Sequence, residues 1–511
     1  MKNRKIKTFA AILLAVMLIL ALAACGGEKE KETSAPDNNK DTNANETQNG
    51  GESNDNITED PVGDKTDTSD KLGFVVSNVK ENIPDSNFNG KNFIILVGDP
   101  NEKVWTYTNM VVEEDTGDTI DDAYYKRNRL IEDRLNINIK QVEAIPLSSE
   151  QSRFKKSVDS GDDSFDIALM SYGAAANLAI SNYCMNLNDV DYLDFEKPWW
   201  DKGSLRDLSI GNRNYLMASD ISIGDNDNTW LIYFDKQHVQ DAGIETPYNF
   251  VNNGTWTFDK MLEMMRIVSA DLNGDGKITT DDRYGLLTHG ENYAGMWIAA
   301  GQTLIAKDKD DLPYIAFGNE SFYNVWEKII EIMSDETCKN NNIEFISSGL
   351  RDGQTLFGTE ILKFVRNYRE NEREFGILPM PKFNESQENY YTYVAISAPL
   401  LIIPKSNPEL DVTGIIVEAM AAEGHRTIMP AYYEVSIEGK FVRDVESIDM
   451  LNIAFSTRMY DLGVVFNWGS MNTHLTNLGN KKSIDVVSVL EQRTPAMQAA
   501  IDSALEVFEA D

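Results

Sequence analysis

Cysteine and histidine are scarce in this chain, three and four residues among 511. Three thiols cannot build a disulfide framework, and His238, His289, His425 and His474 share no metal-ligand spacing, so neither cross-links nor a zinc site carries the fold. Basic residues are also few. Lys and Arg number 47 against 82 Asp and Glu, a formal charge of −35. Nucleic acid is thereby disfavoured as a partner, as are anionic lipid surfaces, because both reward clustered cations. The motifs G-x-S-x-G, H-E-x-x-H, G-x-x-x-x-G-K and G-x-G-x-x-G are all missing. Carboxylate pairs such as Asp281 and Asp282 are too common in so acidic a chain to indicate glycosidase chemistry. Binding without catalysis is the expectation; the rivals are an extracellular polysaccharide-processing enzyme and a surface sensor subunit.

One export-type segment is present. Lys2, Arg4, Lys5 and Lys7 precede an apolar run from Phe9 to Leu22, too short to span a bilayer comfortably. Leu22-Ala23-Ala24-Cys25 resembles a bacterial lipobox. That resemblance implies a signal peptide over residues 1–24, removed after Ala24, and a lipid anchor on Cys25 whose acyl chains hold the protein on the membrane. Residues 25–84 are acidic and polar with hardly an aromatic, and are expected to form a disordered tether, since they bury too little apolar surface to offset the entropy of ordering.

The remainder is long enough for two lobes. Phe93 to Val97 is a continuous apolar run ended by Gly98-Asp99-Pro100, the pattern of a strand covered on both faces. Asp121 or Asp122 is expected to cap a helix burying Tyr124, Ile131 and Leu135, with Lys126, Arg127, Arg129 and Arg134 in solvent. Strands are expected at 136–142 and 165–170, giving a βαβαβ opening of a parallel sheet. Ligands of such sheets sit beyond the carboxyl ends of the strands, which nominates the loops 99–107 and 171–173. Later, Trp230 to Phe234 reads as another strand, and Thr257 as the cap of a helix burying Phe258, Met261, Leu262 and Met265.

The order of several segments resembles the sugar-type solute-binding proteins of bacterial ABC importers. These are the helix from Asp122 to Arg129, Trp230 to Lys236, Gly254 to Asp259, Phe375 to Lys382, Leu401 to Ser406, Pro430 to Tyr433 and Arg443 to Ser447. The resemblance implies an α/β, bilobal periplasmic-binding-protein-like type II fold with a hinge. Its lobes would be 85–230 plus 382–430 and 231–381 plus 431–511. It also implies a saccharide ligand, ABC permease subunits as partners, and work as a monomer without catalysis. Cys184 and Cys338 then fall in different lobes, where a bridge would oppose hinge motion.

Two patterns carry chemistry. Asp271, Asn273 and Asp275 match positions one, three and five of a calcium loop, Gly276 occupies the turn, and Ile278 is the inward aliphatic. Lys277 would offer its carbonyl, and Asp282 stands where a bidentate Glu is usual, so a structural Ca²⁺ is expected. The second pattern is aromatic. Trp105, Tyr107, Tyr172, Trp230, Tyr293, Trp297, Tyr391 and Trp468 lie in or near expected loops, where flat rings can stack on pyranose faces. Asp227, Asn228 and Glu291 are candidates to bond sugar hydroxyls, and His289 to line the cleft. The acidic cluster at Asp225 and Asp227 also suits a cationic ligand.

Overall fold

The structure, a computed structural model, describes residue 74 and residues 76–98, 109–144, 149–340, 343–364, 373–435 and 445–509. The expected signal peptide, Cys25, most of the expected tether, Trp105 and Tyr107 lie outside the described residues.

Two sheets organise the chain. The first contains β1 (Lys91–Gly98), β2 (Ile137–Ala144) and β3 (Ile167–Ser171) in parallel, and the later strand Pro399–Ile402 runs antiparallel beside β3. Side chains alternate across a strand, so a strand that is apolar throughout must be covered on both faces. Phe93, Ile95 and Val97 accordingly join one buried cluster and Leu96 another. The helix α1 (Thr119–Leu135) follows β1, and α2 (Glu150–Ser160) follows β2. The cap of α1 is Asp118 rather than the expected Asp121 or Asp122; its carboxylate accepts from the amides of Ile120 and Asp121.

Arg127, expected in solvent, is fully buried. Its guanidinium donates to the carbonyls of Ile221 at 3.0 Å and Met110 at 3.4 Å, and to Asn128 Oδ1 at 2.7 Å. Burial among carbonyls rather than carboxylates lowers its pKa to about 10.

The second sheet takes β4 (Trp230–Asp235), β5 (Tyr284–Thr288), β6 (Cys338–Asn340), β7 (Thr355–Ile361) and β8 (Phe375–Leu378), in the order β8-β4-β7-β5-β6. Every residue of β4, β5 and β7 is buried. Helix α4 (Phe258–Val268), preceded in the chain by α3 (Tyr172–Ala179), is capped by Thr257 and buries its methionines in the core. It lies so close to β5 that a Cβ on Gly285 would stand 2.5 Å from Met265 Cβ.

Two of the chain's passages between the sheets lie side by side: Thr229 bridges Val394, and the amide of Ala395 donates to the Asn228 carbonyl at 2.9 Å; a third comes between the helix Leu410–Tyr433 and the helix Val445–Ser456, which packs on β8. This moves one expected boundary. The resemblance implies a first lobe that resumes at 382, yet Lys382 exchanges backbone bonds with Trp256 and Phe258, and Tyr390 donates to the Val251 carbonyl at 3.1 Å. Return to the first sheet comes only with β9 (Pro399–Ile402) and the helix Leu410–Tyr433, which packs on α1. Cys184 is a buried thiol beside Pro404 and Cys338 a buried thiol in β6.

The expected tether also stops short of residue 84. Residues 76–88 are strapped along the first lobe, where the Ser77 amide donates to His425 Nε2 at 3.1 Å and Lys197 donates to the Lys80 carbonyl at 3.0 Å. Glu81 takes Arg426 at 2.7 Å and also pairs with Arg134. Burial alone would raise the Glu81 carboxyl; the two guanidinium groups outweigh it and hold it down to about 2.

Candidate functional site

A cavity of about 490 Å³ opens between the two sheets. The first lobe contributes Ser171 and Gly173, where β3 ends and α3 begins. The second contributes His289 and Glu291 after β5, and Glu360 and Ile361 at the end of β7. Ile396 and Ser397 come from the second crossing, and Asn467, Asn472 and Thr473 from the C-terminal segment. Strand carboxyl ends thus meet from both sides, as open sheets lead one to expect.

Trp230 forms the floor but offers no open face. It is wholly shielded from solvent although it borders the cavity, because its Nε1 donates to Asn292 Oδ1 at 3.1 Å and its ring meets His289 edge-on at 4.9 Å. Its function there is to brace His289. The imidazole Nε2 lies 3.8 Å from Glu360 Oε1. Burial lowers the His289 pKa, but Glu360 and then Glu291 outweigh that and the net shift is upward. Burial raises the Glu291 carboxyl, against the opposing influence of His289 and of a hydrogen bond from the Tyr393 hydroxyl at 3.1 Å. Glu360 is 1% exposed; its Oε1 accepts the Ile361 amide at 2.9 Å, while Oε2 has no hydrogen-bond partner.

Other residues singled out from sequence lie elsewhere. Asp227 and Asn228 are buried beneath the crossing: Tyr432 donates to Asp227 at 3.0 Å, and Ser397 donates to Asn228 Oδ1 at 2.5 Å. Asn228 therefore positions a lining serine without lining the cavity itself. Tyr293 and Trp297 belong to α5 (Asn292–Ala299), buried at every position, so neither ring has a face to offer; Tyr293 packs on Trp326. Trp468 is buried against Phe466, stacked at 4.8 Å. Tyr172 is buried beside Tyr460 at 5.8 Å, between two residues that do reach the cavity. Tyr391 lines a separate hollow with Arg206 and Asn389. Among the described lining residues, the aromatic with part of its surface open is Phe364. Glu360 carries a readable signal of its own: it is the lone charged residue in the strand-like stretch 355–361, and a carboxylate is costly to bury.

At the calcium-type loop, carboxylate oxygens of Asp271, Asp275 and Asp282 lie within 4.8 Å of one another. Asp271 accepts the amides of Gly274 and Gly276, each at 2.7 Å; Asn273 accepts the amide of Asp275 at 2.9 Å. Asp282 is held by the amide and hydroxyl of Thr279 at 2.8 and 2.9 Å. Gly274 and Gly276 have φ of 76° and 80°, the left-handed backbone that the tight turn needs. Ile278 packs against the core, and Ala270 bridges Arg283 to close the loop.

No protein-family model and no curated protein matches the chain. Solved structures do. A cyclic α-maltosyl-1,6-maltose binding protein from Arthrobacter globiformis matches 81% of this chain and 99% of its own, at 12% identity and a TM-score of 0.55. A family 1 extracellular solute-binding protein from Bifidobacterium longum subsp. infantis matches 83% and 100%, at 10% identity and 0.52. A sugar transporter from Rhizobium etli in an open conformation matches 82% and 99%, at 14% identity and 0.52. These likenesses show that the chain has the bilobal α/β fold of periplasmic-type solute-binding proteins. No helix of the described residues is long and apolar enough to cross a membrane.

Proposed function

We propose that this chain is the ligand-capturing component of a bacterial ABC importer, anchored by lipid on Cys25 at the outer face of the cell membrane, and that its cargo is a saccharide. The observation that carries this reading is the cavity itself. Its walls come from both lobes, and its polar edge is built from hydroxyl and amide side chains suited to sugar hydroxyls. The neighbours of this fold described as a sugar transporter and as a maltosyl-maltose binder support the same cargo class. In the mechanism, ligand bridges the lobes, favours the closed arrangement through its differential affinity, and the closed form docks on the permease.

A thermal-shift screen of mono- and oligosaccharides, peptides and polyamines tests the cargo, and solution scattering tests the motion. A rise in melting temperature with a saccharide, accompanied by a smaller radius of gyration, is expected. Unchanged scattering with saccharide bound would overturn the closure mechanism, and release of reducing ends from a glycan panel would favour the enzyme instead.

The loop 271–282 is proposed to hold one structural Ca²⁺ through Asp271, Asn273, Asp275, the Lys277 carbonyl and Asp282. Calcium binds oxygen at about 2.3–2.6 Å, so two of its ligands stand at most about 5 Å apart, which the 4.8 Å grouping satisfies.

A further inference from the structure

The second-lobe wall of the cleft is charged in one direction. Glu291 and Glu360 both border the cavity, and among the described lining residues the side chain able to carry positive charge is His289. Among the described lining residues there is no lysine or arginine. Across the cavity, the amino end of α3 begins at Ser171 and Tyr172, and a helix end supplies only a fraction of a unit charge. Glu360 is the informative member. It is 1% exposed, its Oε2 and the Nε2 of His289 both lack a hydrogen-bond partner, and both residues face the same space. A buried carboxylate oxygen left unpaired is costly, and a ligand group able to pair with it recovers that cost only when bound. A hydroxyl can donate to it; an ammonium can donate and also neutralise it. The chain as a whole points the same way, since a formal charge of −35 draws cationic solutes toward the surface and repels anionic ones.

We propose that the cleft selects its cargo by charge: it takes a saccharide bearing a free amine, with Glu360 receiving the ammonium group, and it excludes sugars carrying a carboxylate or phosphate. This rests on the saccharide reading above and narrows it. Glu291, held by Tyr393 and the Ile396 amide, supplies the second negative charge, and His289 Nε2, 3.8 Å from Glu360 Oε1, is the group with which a ligand cation competes for that carboxylate.

The test is titration calorimetry of the full chain with α-1,4- and β-1,4-linked trimers of glucosamine, glucose and glucuronic acid. Spermidine and glutarate serve as non-saccharide probes of each charge. At neutral pH and low salt the amine trimer of one linkage is expected to bind at least tenfold tighter than its neutral counterpart, and the uronate trimer not measurably. Glu360→Gln should bring the amine and neutral trimers within about threefold of each other; Glu291→Gln, in a residue already held by Tyr393 and the Ile396 amide, should give a smaller change in the same sense. Melting curves of both variants establish folding, and one folded variant suffices. Uronate binding equal to the amine's, or an unchanged preference in a folded Glu360→Gln protein, overturns the proposal. Spermidine binding that depends on Glu360, with every saccharide silent, would retain charge selection and sink the sugar cargo; silence from all probes counts against both.

Discussion

Trp199 Nε1 donates to one oxygen of the Glu418 carboxylate at 3.1 Å, and its neighbour Trp200 donates to the other at 3.0 Å. All three side chains are buried, and Glu418 belongs to the long helix α6 (Leu410–Tyr433). The pair of indoles therefore braces the first lobe from within, away from the cavity. Burial pushes the Glu418 carboxyl up to about 7, against the lowering effect of the Asp194 amide and the two indoles. A carboxyl raised in the folded state binds a proton more tightly than the unfolded chain does. Its contribution is thus fully present below about pH 4.5 and is lost as pH rises through about 7. Glu418→Gln offers one acceptor and two donors to two indole donors, so a loss of about 1–3 kcal/mol is expected. The variant's melting temperature should also fall less than the wild type's between pH 5 and pH 8; equal slopes would remove Glu418 from the account.

A second prediction concerns the crossing. Arg458 pairs with Asp201 at 2.7 Å and Asp225 at 2.9 Å, and donates to Asn226 at 2.6 Å. Burial lifts the Asp225 carboxyl to about 7 even with that cation beside it. Arg458→Met strands two buried carboxylates, and a cost of about 3–5 kcal/mol is expected at pH 8. The penalty should shrink at pH 5, where Asp225 is protonated, as chemical denaturation at the two pH values will report. A penalty independent of pH would mean that packing, rather than charge, is what Arg458 supplies.

The strap is open to a local test. Glu81→Ala removes the acceptor shared by Arg426 and Arg134, both of which are partly exposed, so a modest cost of about 1–2 kcal/mol is expected. Because the folded pKa of Glu81 is depressed to about 2, its contribution is present above about pH 4.5 and lost as pH falls toward 2. Amide exchange should quicken at 76–84 and hardly at β1. Unchanged exchange there would show that Ser77 and Lys80 hold the strap without Glu81.

If the loop 271–282 holds calcium, millimolar Ca²⁺ should raise the melting temperature and EDTA lower it. A free concentration one hundred times Kd contributes about 2.7 kcal/mol. Asp271→Ala should abolish the response. A calcium response that survives in that variant would place the ion elsewhere.

Much of the architecture is legible in the residues. The apolar runs at 93–97 and 230–234 have room for charge on neither face, which is why both proved to be strands buried on two sides. Thr257 announced its helix because a hydroxyl ahead of an amphipathic stretch satisfies a free amide. Arg127 misleads for a related reason: periodicity assigns a charged side chain to solvent, whereas the Ile221 carbonyl that receives this one lies 94 residues away. The aromatics mislead more. Trp297 sits in Asn292–Ala299, a helix apolar on nearly every side, and such a helix is core. The carboxylates that border the cavity are separated by the whole span from β5 to β7, and only the parallel pairing of those strands brings Glu360 beside His289.

The grip of Glu81 on Arg134 and Arg426 has a mechanical consequence. All three residues ride with the same sheet, so a load applied at residues 76–88 is delivered first to that half. The opposite half, which carries Glu360 and His289, is joined to it by the neighbouring strands at Thr229 and Val394 and by the pairs of Arg458 with Asp201 and Asp225. If the lobes close as proposed, this is the half that moves about a companion held by residues 76–88.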